Sequence, residues 1–211
     1  PIDRLEAYFI AEQGAKAYAF SVQQNVDWNA TGLNAYYVTG YNVEKEMVYT
    51  HKVTDSYSGV GLLIDGFKTD SIYKLKKAET ISPKPSKNYL MGNAREEVVI
   101  TNKDKWTSQY LFSESDKNFW RSSTSYTLKP GSAYLKIQAL AVKDINSFGI
   151  DIYSQAPGDI NGDGEVNVSD VTALINKILG SSTYSDAVCD INGDGEINVS
   201  DVTALINMIL K

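Results

Sequence analysis

The sequence is poor in the residues that most nucleophilic and cross-linking chemistry requires. Its 211 residues include one cysteine, Cys189, and one histidine, His51. A single cysteine excludes an internal disulfide, and we expect Cys189 to be a small apolar packing residue. Any Ser-His-Asp or Cys-His arrangement would have to use His51. Because His51 lies in the alternating segment MVYTHKV, we expect it on the surface of a strand.

Long apolar runs and basic patches are also missing. No run approaches the roughly 20 apolar residues that span a bilayer, so no membrane span is predicted. The segment PIDRLEAYFI has no basic region followed by an apolar one, so we expect no signal peptide within this chain. From Gly158 onward nine acidic residues accompany only Lys177 and Lys211, whereas residues 1–157 are close to neutral. This distribution argues against a nucleic-acid partner.

What is present in residues 1–153 predicts β structure. Apolar residues make up 43% of the chain, which is enough for a packed core. Short segments rich in β-branched and aromatic residues alternate with turn clusters such as NATG, SYSG and KPGS. These segments are KAYAFSV, LNAYYVTGYNV, MVYTHKV, VGLLIDG, SIYKLKK, EEVVITN, SQYLFSES, AYLKIQAL and FGIDIY. We predict an antiparallel β-sandwich or barrel, preceded by a short helix in DRLEAYFIAEQ.

A change of composition marks the boundary between two domains. The stretch SQAPGD contains a Pro-Gly pair that ends the last strand segment. We assign residues 154–158 as a linker and residues 159–211 as a second domain. A linker this short is not a flexible tether, so we expect the two domains to lie close together.

The second domain is built from an internal repeat. Residues 159–179 and 190–210 are identical except at Val166/Ile197 and Lys177/Met208. Each copy begins with an acidic, glycine-containing loop and continues into an apolar helix. We take residues 159–180 and 190–211 as the two copies of one duplicated structural unit.

Each loop carries oxygen-bearing residues at the spacing of a calcium loop. Positions 1, 3, 5, 9 and 12 supply side-chain oxygens and position 7 a backbone carbonyl, with a glycine at the sharp turn (Gly164 or Gly195). Hard oxygen donors without histidine or thiolate favour Ca²⁺ over zinc or copper. Two such loops, each followed by the same helix, argue against simple turns and predict two bound Ca²⁺ ions. The predicted metal ligands are Asp159, Asn161, Asp163, Glu165, Asn167, Asp170, Asp190, Asn192, Asp194, Glu196, Asn198 and Asp201.

The helix after each loop shows one apolar stripe. In the first copy the stripe consists of Val171, Leu174, Ile175, Ile178 and Leu179, at the spacing of one helix face. Thr172, Asn176 and Lys177 are expected to face away from it. The loops differ from the usual EF-hand because position 12 is Asp and no helix precedes the first loop.

This loop-helix unit, occurring twice in residues 158–211, resembles the type I dockerin domain. The resemblance implies a small all-α domain of two calcium-binding F-hand repeats that docks a cohesin domain, typically in extracellular bacterial proteins that degrade polysaccharides. It also implies contact positions at loop residues 10 and 11 and about one turn into the helix. The corresponding residues are Val168, Ser169, Ile175, Asn176, Val199, Ser200, Ile206 and Asn207.

Valine and isoleucine at these positions leave the partner open, because the family pattern there is more polar. The apolar residues could form an interface with a cohesin-like or other protein. Alternatively, one copy could pack on the β domain of the same chain as a structural cap. Both arrangements are compatible with a duplicated module that has two similar faces.

The β domain resembles, less specifically, modules near the C-termini of Bacteroidetes extracellular proteins. The resemblance is carried by LNAYYVTGYNVEKEMVYTHKV, VGLLIDG, NYLMGN and FWRSSTSYTLKPGSAYLKI, and it implies an extracellular or cell-surface location without an assigned activity. Glu96 and Glu97 would point to opposite faces of a strand, so we predict no catalysis. The alternative function is a carbohydrate-binding or glycan-degrading β domain that the dockerin carries. For sugar binding, Trp106 and Trp120, beside loops, are better candidates than Trp28.

Overall fold

The computed structural model describes residues 7–83, 87–101, 107–139, 142, 144–151, 158–163, 165–184 and 186–210. Strands form the first part of the chain and helices the last. The strands are β1 (Ala7–Ala11), β2 (Tyr18–Phe20), β3 (Val26–Asp27), β4 (Asn34–Asn42), β5 (Met47–Val53), β6 (Asp55–Ser56), β7 (Leu62–Asp65), β8 (Ser71–Lys77), β9 (Leu90–Gly92), β10 (Val98–Ile100), β11 (Ser108–Ser113), β12 (Asn118–Arg121), β13 (Tyr126–Leu128), β14 (Ala133–Ile137) and β15 (Ser147–Asp151). The helices are α1 (Val168–Ile178), α2 (Asp186–Cys189) and α3 (Val199–Ile209).

A nine-stranded sheet curls into a near-barrel. Its strand order is β2-β7-β4-β5-β15-β12-β11-β14-β9. An antiparallel bridge between Phe20 and Ser132 brings β2 next to the start of β14. The Ser21 amide donates to the carbonyl oxygen of Gly131 at 2.9 Å, which extends this closure. We call the line where β2, β9 and the turn before β14 meet the seam of the barrel.

Two strands of this sheet are buried on both faces. In β4, Tyr36 and Val38 belong to the core inside the barrel, whereas Ala35 and Tyr37 belong to a second core outside it. The residues of β7 divide between the cores in the same way. A four-stranded sheet of order β1-β8-β3-β6 covers this outer core. The fold therefore combines a near-barrel with one sandwich-like layer, which explains the continuous apolar run YYV in β4.

Aromatic residues dominate both cores. Tyr110, Phe119 and Phe148 are fully buried inside the barrel. In the outer core, Phe9 is 2% exposed and Trp28 is 1% exposed. The indole N–H of Trp28 donates to Ser56 Oγ at 2.9 Å, so the buried ring keeps its polar group satisfied.

The predicted β architecture is confirmed, and three details of its prediction are wrong. DRLEAYFIAEQ does not form a helix, because its residues 7–11 are strand β1, with buried and exposed side chains alternating at period two. The sheet is not wholly antiparallel, since β15 pairs with β5 in parallel. Glu96 and Glu97 precede β10 and do not lie within it. The short strands β3, β6, β9, β12 and β13 were not expected.

The C-terminal helices form a separate small core. It consists of Ile160, Ala173, Leu174, Cys189 and Leu205 with partly buried neighbours. The predicted apolar stripe of α1 is wrong in part, because Ile175 and Leu179 are 41% and 73% exposed. The buried residues of α1 are Asp170, Ala173 and Leu174. The buried face is therefore rotated about the helix axis relative to the predicted stripe, and it lies in the first half of the helix.

The remaining expectations concern single residues and membrane spans. Cys189 is fully buried, as expected for a packing residue, and burial raises the pKa of its thiol. His51 lies in β5 and is partly buried. None of the described helices is long and apolar enough to cross a membrane. Residues 154–157 of the linker lie outside the described residues.

Candidate metal centres and docking face

Asp170 connects the end of the first loop to its beginning. Its Oδ1 accepts hydrogen bonds from the backbone N–H groups of Ile160 at 2.7 Å and Asn161 at 3.1 Å. Its Oδ2 accepts the N–H of Asn167 at 2.9 Å. Asp170 is fully buried. Loop position 12 is thus held beside positions 2 and 3, as a closed ion-binding loop requires.

Asn167 starts α1 as its N-cap. Its side-chain oxygen accepts the Ser169 N–H at 2.7 Å, and the Asp170 carboxylate accepts the Asn167 N–H, which completes a capping box. Sequence reasoning expected Asn167 as a metal ligand and did not foresee this role. The signal was available, because an Asn followed three residues later by an Asp before an apolar run is an N-terminal helix pattern.

Residues at the tip of the first loop are brought together by short local hydrogen bonds. The side-chain amide of Asn161 donates to Asp163 Oδ2 at 2.7 Å, and the Asp163 N–H donates to Asn161 Oδ1 at 2.9 Å. The Glu165 N–H donates to Asp163 Oδ1 at 2.9 Å. The predicted turn residue Gly164 lies outside the described residues. Three predicted ligands therefore share one turn.

The second loop repeats this arrangement. Asp201 Oδ1 accepts the N–H groups of Ile191 at 2.9 Å and Asn192 at 3.2 Å, and Asp201 Oδ2 accepts that of Asn198 at 2.9 Å. Burial raises the pKa of Asp201, but these backbone hydrogen bonds outweigh it, and the net pKa lies below its usual value. The carboxylate of Asp201 is therefore held in its ionised form.

Asp190 organises the tip of the second loop. Its Oδ1 accepts the N–H groups of Gly193 at 2.8 Å and Asp194 at 3.1 Å, and its Oδ2 accepts that of Gly195 at 3.0 Å. Gly195 has φ of +86°, a conformation that favours glycine. The sequence prediction of Gly195 as the turn residue is confirmed.

The donor chemistry of both loops fits a hard cation. Within the described part of the chain, no group of three or more His, Cys, Asp or Glu side chains is placed to hold a metal by itself. The loops instead bring carboxylate oxygens together with amide oxygens, such as that of Asn192, which accepts the Asp194 N–H at 2.9 Å. Such mixed oxygen sets suit Ca²⁺, which accepts carboxylate, amide and backbone oxygens in flexible geometry.

The two loops differ in burial although their sequences match. Asp159 and Ile160 are 2% and 0% exposed, whereas Asp190 and Ile191 are partly exposed. Burial lowers the pKa of His51 on β5, and the negative charge of Asp163 in the first loop partly opposes this shift.

The eight predicted partner-contact residues are all exposed. Matched residues of the two copies show nearly the same exposure. Val168 and Val199 are each 70% exposed, and Ile175 and Ile206 are 41% and 40% exposed. The end of each helix adds another exposed leucine, Leu179 or Leu210. We call Val168, Ile175 and Leu179 the first apolar face, and Val199, Ile206 and Leu210 the second.

The tryptophans suggested for sugar stacking occupy different environments. Trp28 is buried in the outer core. Trp120 is 46% exposed on β12, which confirms the expected exposure. Trp106 lies outside the described residues.

One comparison with known proteins gave a match. Residues 157–210 match the family model of the dockerin type I domain, after the β-rich part of the chain. No curated protein and no solved structure was found to match the chain. Dockerin domains generally bind calcium and typically occur in extracellular proteins. The match indicates that the C-terminal domain is a calcium-dependent protein-docking module.

Proposed function

We propose that the type I dockerin domain at residues 157–210 binds two Ca²⁺ ions and docks a cohesin-like protein through either of its two apolar faces. The β domain is non-catalytic, and docking attaches it to the cohesin-like protein. The chain belongs to a secreted or cell-surface protein. The observation that carries the proposal is the matched exposure of Val168 with Val199 and of Ile175 with Ile206. Two faces with the same exposed residues can present the same surface to a partner.

The calcium part of the proposal assigns the six predicted positions of each loop as ligands. When bound, calcium offsets the repulsion among carboxylates that the loop brings together. Asp170 and Asp201 hold the loop start and the helix start together through backbone N–H groups. Each loop is thereby coupled to the helix that carries its apolar face. Loss of order in the loop would therefore disturb the docking residues.

Docking on another protein is favoured over packing on the chain's own β domain. The core of the helical unit contains only residues from Ile160 onward among those described. Both apolar faces remain exposed beside a β domain that already has two cores of its own. An exposed apolar patch on each of two matched helices is typical of a protein interaction surface.

The absence of catalysis in the β domain is also part of the proposal. Glu12 and Glu114 line one cleft of about 390 Å³, and burial together with the charge of Glu12 raises the pKa of Glu114. Both side chains are nevertheless largely exposed, whereas the general acid of a glycosidase lies in an apolar pocket that keeps it protonated. The intact chain is incubated with polysaccharides and assayed for released reducing sugar. Release that is lost in Glu114→Gln would refute the proposal that the β domain is non-catalytic.

Binding to purified cohesin domains tests the docking proposal. The full chain is titrated onto immobilised cohesin domains in calcium and in excess chelator. We expect Val168→Asp/Ile175→Asp and Val199→Asp/Ile206→Asp each to change affinity by about twofold, because the other face remains. The quadruple variant should bind at least about 100-fold more weakly, since it buries charges in both interfaces.

A matched control separates contact from helix damage. Thr172→Asp places the same charge on α1, at an exposed residue outside the apolar face, and should leave binding unchanged. Calcium-independent binding, or a quadruple variant that binds as tightly as the natural sequence, would refute the proposed docking surface.

A further inference from the structure

Two adjoining clefts lie at the seam of the barrel, far in sequence from the dockerin domain. One has a volume of about 400 Å³ and is lined in part by Ser58, Asn93, Arg95 and Glu96. The other has a volume of about 500 Å³. Ala94 lines both clefts. We call the combined space the seam cleft and define it by Tyr8, Phe20, Ser21, Gln23, Gln24 and Asn93.

Three side-chain amides of the seam cleft are fixed by hydrogen bonds to the backbone. Gln23 Nε2 donates to the carbonyl oxygen of Ala94 at 2.7 Å, and Gln24 Nε2 donates to that of Leu75 at 3.1 Å. Asn93 Nδ2 donates to the carbonyl oxygen of Lys129 at 2.7 Å. Because their amide nitrogens are engaged, Gln23 and Gln24 offer their amide oxygens as acceptors in the cleft, whereas Asn93 is buried and supports the wall behind them.

Two of the polar groups in this region are buried and lack a protein partner. Asn93 is 5% exposed and Ser21 is 1% exposed. Within the described residues, neither Asn93 Oδ1 nor Ser21 Oγ has a hydrogen-bond partner. Gly92 lies between them, and a side chain there would overlap Ser21 Oγ and the Gly59 carbonyl oxygen. Both atoms are shielded from solvent, so they belong to the packed seam beneath the cleft and do not face its opening.

An aromatic wall borders the same space. Tyr8 on β1 is 49% exposed and Phe20 on β2 is partly buried, and both line the larger cleft. An exposed aromatic ring beside fixed acceptors suits a ligand with an apolar face and hydroxyl groups around its edge.

The charge of the seam cleft argues against an ionic ligand. Arg95 and Glu96, both exposed, line the smaller cleft with opposite charges. The polar groups of the residues that define the cleft are neutral side-chain amides and the hydroxyl groups of Tyr8 and Ser21. Amide oxygens accept hydrogen bonds from hydroxyl groups and would repel the oxygens of a carboxylate or phosphate.

We propose that the seam cleft binds a neutral oligosaccharide, with a sugar ring stacked on Tyr8 and its hydroxyl groups donating to the amide oxygens of Gln23 and Gln24. The two clefts have volumes within the range of about 300–1,000 Å³ that small-molecule sites occupy. The site is independent of the apolar faces of the dockerin domain. The chain would thus join a protein-docking module to a sugar-binding one.

An oligosaccharide array probed with the full chain in calcium tests the proposal. The array includes neutral and acidic members, and we expect retention on neutral members. Titration calorimetry with the best-retained neutral oligosaccharide then gives the affinity. Tyr8→Ala should weaken binding about tenfold or more, because it removes the stacking surface. Gln24→Glu should also weaken binding, since it adds a charge to a neutral site.

Two exposed residues outside the seam cleft serve as controls. Ile10→Ala alters a residue of the same strand that is 60% exposed, and Trp120→Ala alters the exposed tryptophan of β12. Both variants should bind within about twofold of the natural sequence. Thermal melting of all variants checks that each remains folded. Retention on no array member, retention on acidic members alone, or loss of binding in Trp120→Ala but not in Tyr8→Ala would each overturn the proposal.

Discussion

The two loop-helix repeats have almost the same sequence but are packed differently. The first loop begins at Asp159 and Ile160, which are 2% and 0% exposed. The second begins at Asp190 and Ile191, which are partly exposed. The difference shows that the burial of a loop depends on how the chain enters it and on what lies against the entry.

The entries themselves are different. Gly158, with φ of +92°, precedes the first loop, whereas Cys189, the last residue of α2, precedes the second. A Cβ at Gly158 would lie 2.9 Å from Val166 and 3.0 Å from both Leu205 and Met208.

The entry to the second loop has a charged neighbour instead. Lys177 pairs with Asp186 of α2 at 2.7 Å, and its positive charge opposes the rise in the Cys189 pKa that burial causes. The end of each helix therefore lies near the entry to the other loop. The two copies differ at positions 166/197 and 177/208. Val166 and Met208 lie beside Gly158, and Lys177 lies near Cys189.

Removal of calcium should have the largest effect and should act on the repeats without melting the β domain. Two sites at 100-fold excess of calcium over Kd contribute about 5 kcal/mol to the stability of the helical unit. Chelation should lower the far-ultraviolet signal of the helices. Tryptophan fluorescence should not change, because all three tryptophans precede the repeats. An unchanged helical signal in chelator would contradict the calcium assignment for both repeats.

Replacement of the aspartate at loop position 12 should lower the free energy of unfolding by different amounts in the two repeats. Asp170→Ala removes a capping box and leaves buried N–H donors, so we expect a loss of about 4 kcal/mol. Asp201→Ala should cost about 1 kcal/mol less, because the Ile191 N–H is only partly buried. Denaturant unfolding followed by circular dichroism measures both, with Ser169→Ala and Ser200→Ala as exposed controls. Equal losses would mean that the difference in burial has no energetic consequence.

Substitution of the entry residues should show a similar asymmetry. Gly158→Ala forces a non-glycine residue into a left-handed conformation and crowds Val166, Leu205 and Met208, so we expect a loss of about 2–3 kcal/mol. Cys189→Ala removes only a small buried side chain and should cost about 1 kcal/mol. Thermal melting in calcium compares the two. A larger loss of thermal stability in Cys189→Ala than in Gly158→Ala would contradict the inference that the entry to the first loop is the more tightly packed.

Exchange of the residues at positions 177 and 208 should have the smallest effects. Met208→Lys brings a charge near Gly158 and Leu205 and should cost about 1 kcal/mol, limited because Met208 is 39% exposed. Lys177→Met removes an ion pair whose Asp186 side chain is 79% exposed, so the loss should be below about 0.5 kcal/mol. The melting temperatures of both variants test the order, and a reversed order would show that the ion pair matters more than the packing.

The sequence predicted the parts of this molecule that depend on local pattern. Enrichment in β-branched and aromatic residues between turn clusters identified β4, β5, β7 and β8, and the loop spacing identified both candidate calcium loops and the turn at Gly195. The match of residues 157–210 to the dockerin type I domain confirms the resemblance.

The errors arose where contacts distant in sequence decide the structure. Segment 3–13 contains helix-forming residues, but pairing of β1 with β8 makes its central part a strand. The parallel pairing of β15 with β5 could not be read from either strand alone. Ile175 fits an apolar helix stripe, yet it is exposed. The hydrogen bond from the Ile160 N–H to Asp170 holds the start of α1 against the loop, and this turns Ile175 away from the core. The seam cleft escaped prediction because Tyr8, Gln23 and Asn93 come together only when the barrel closes.

The sharing of β4 and β7 between two cores determines how the β domain can come apart. Opening of the barrel would expose the side chains of these strands that face its interior. It would also disrupt the outer core, because the same two strands supply that core from their opposite face. The barrel and the covering sheet should therefore be one cooperative unit, with calorimetric and van't Hoff enthalpies equal for its transition. The amide hydrogens of β4 and β7 should be the slowest in the domain to exchange with solvent, since only global opening releases them.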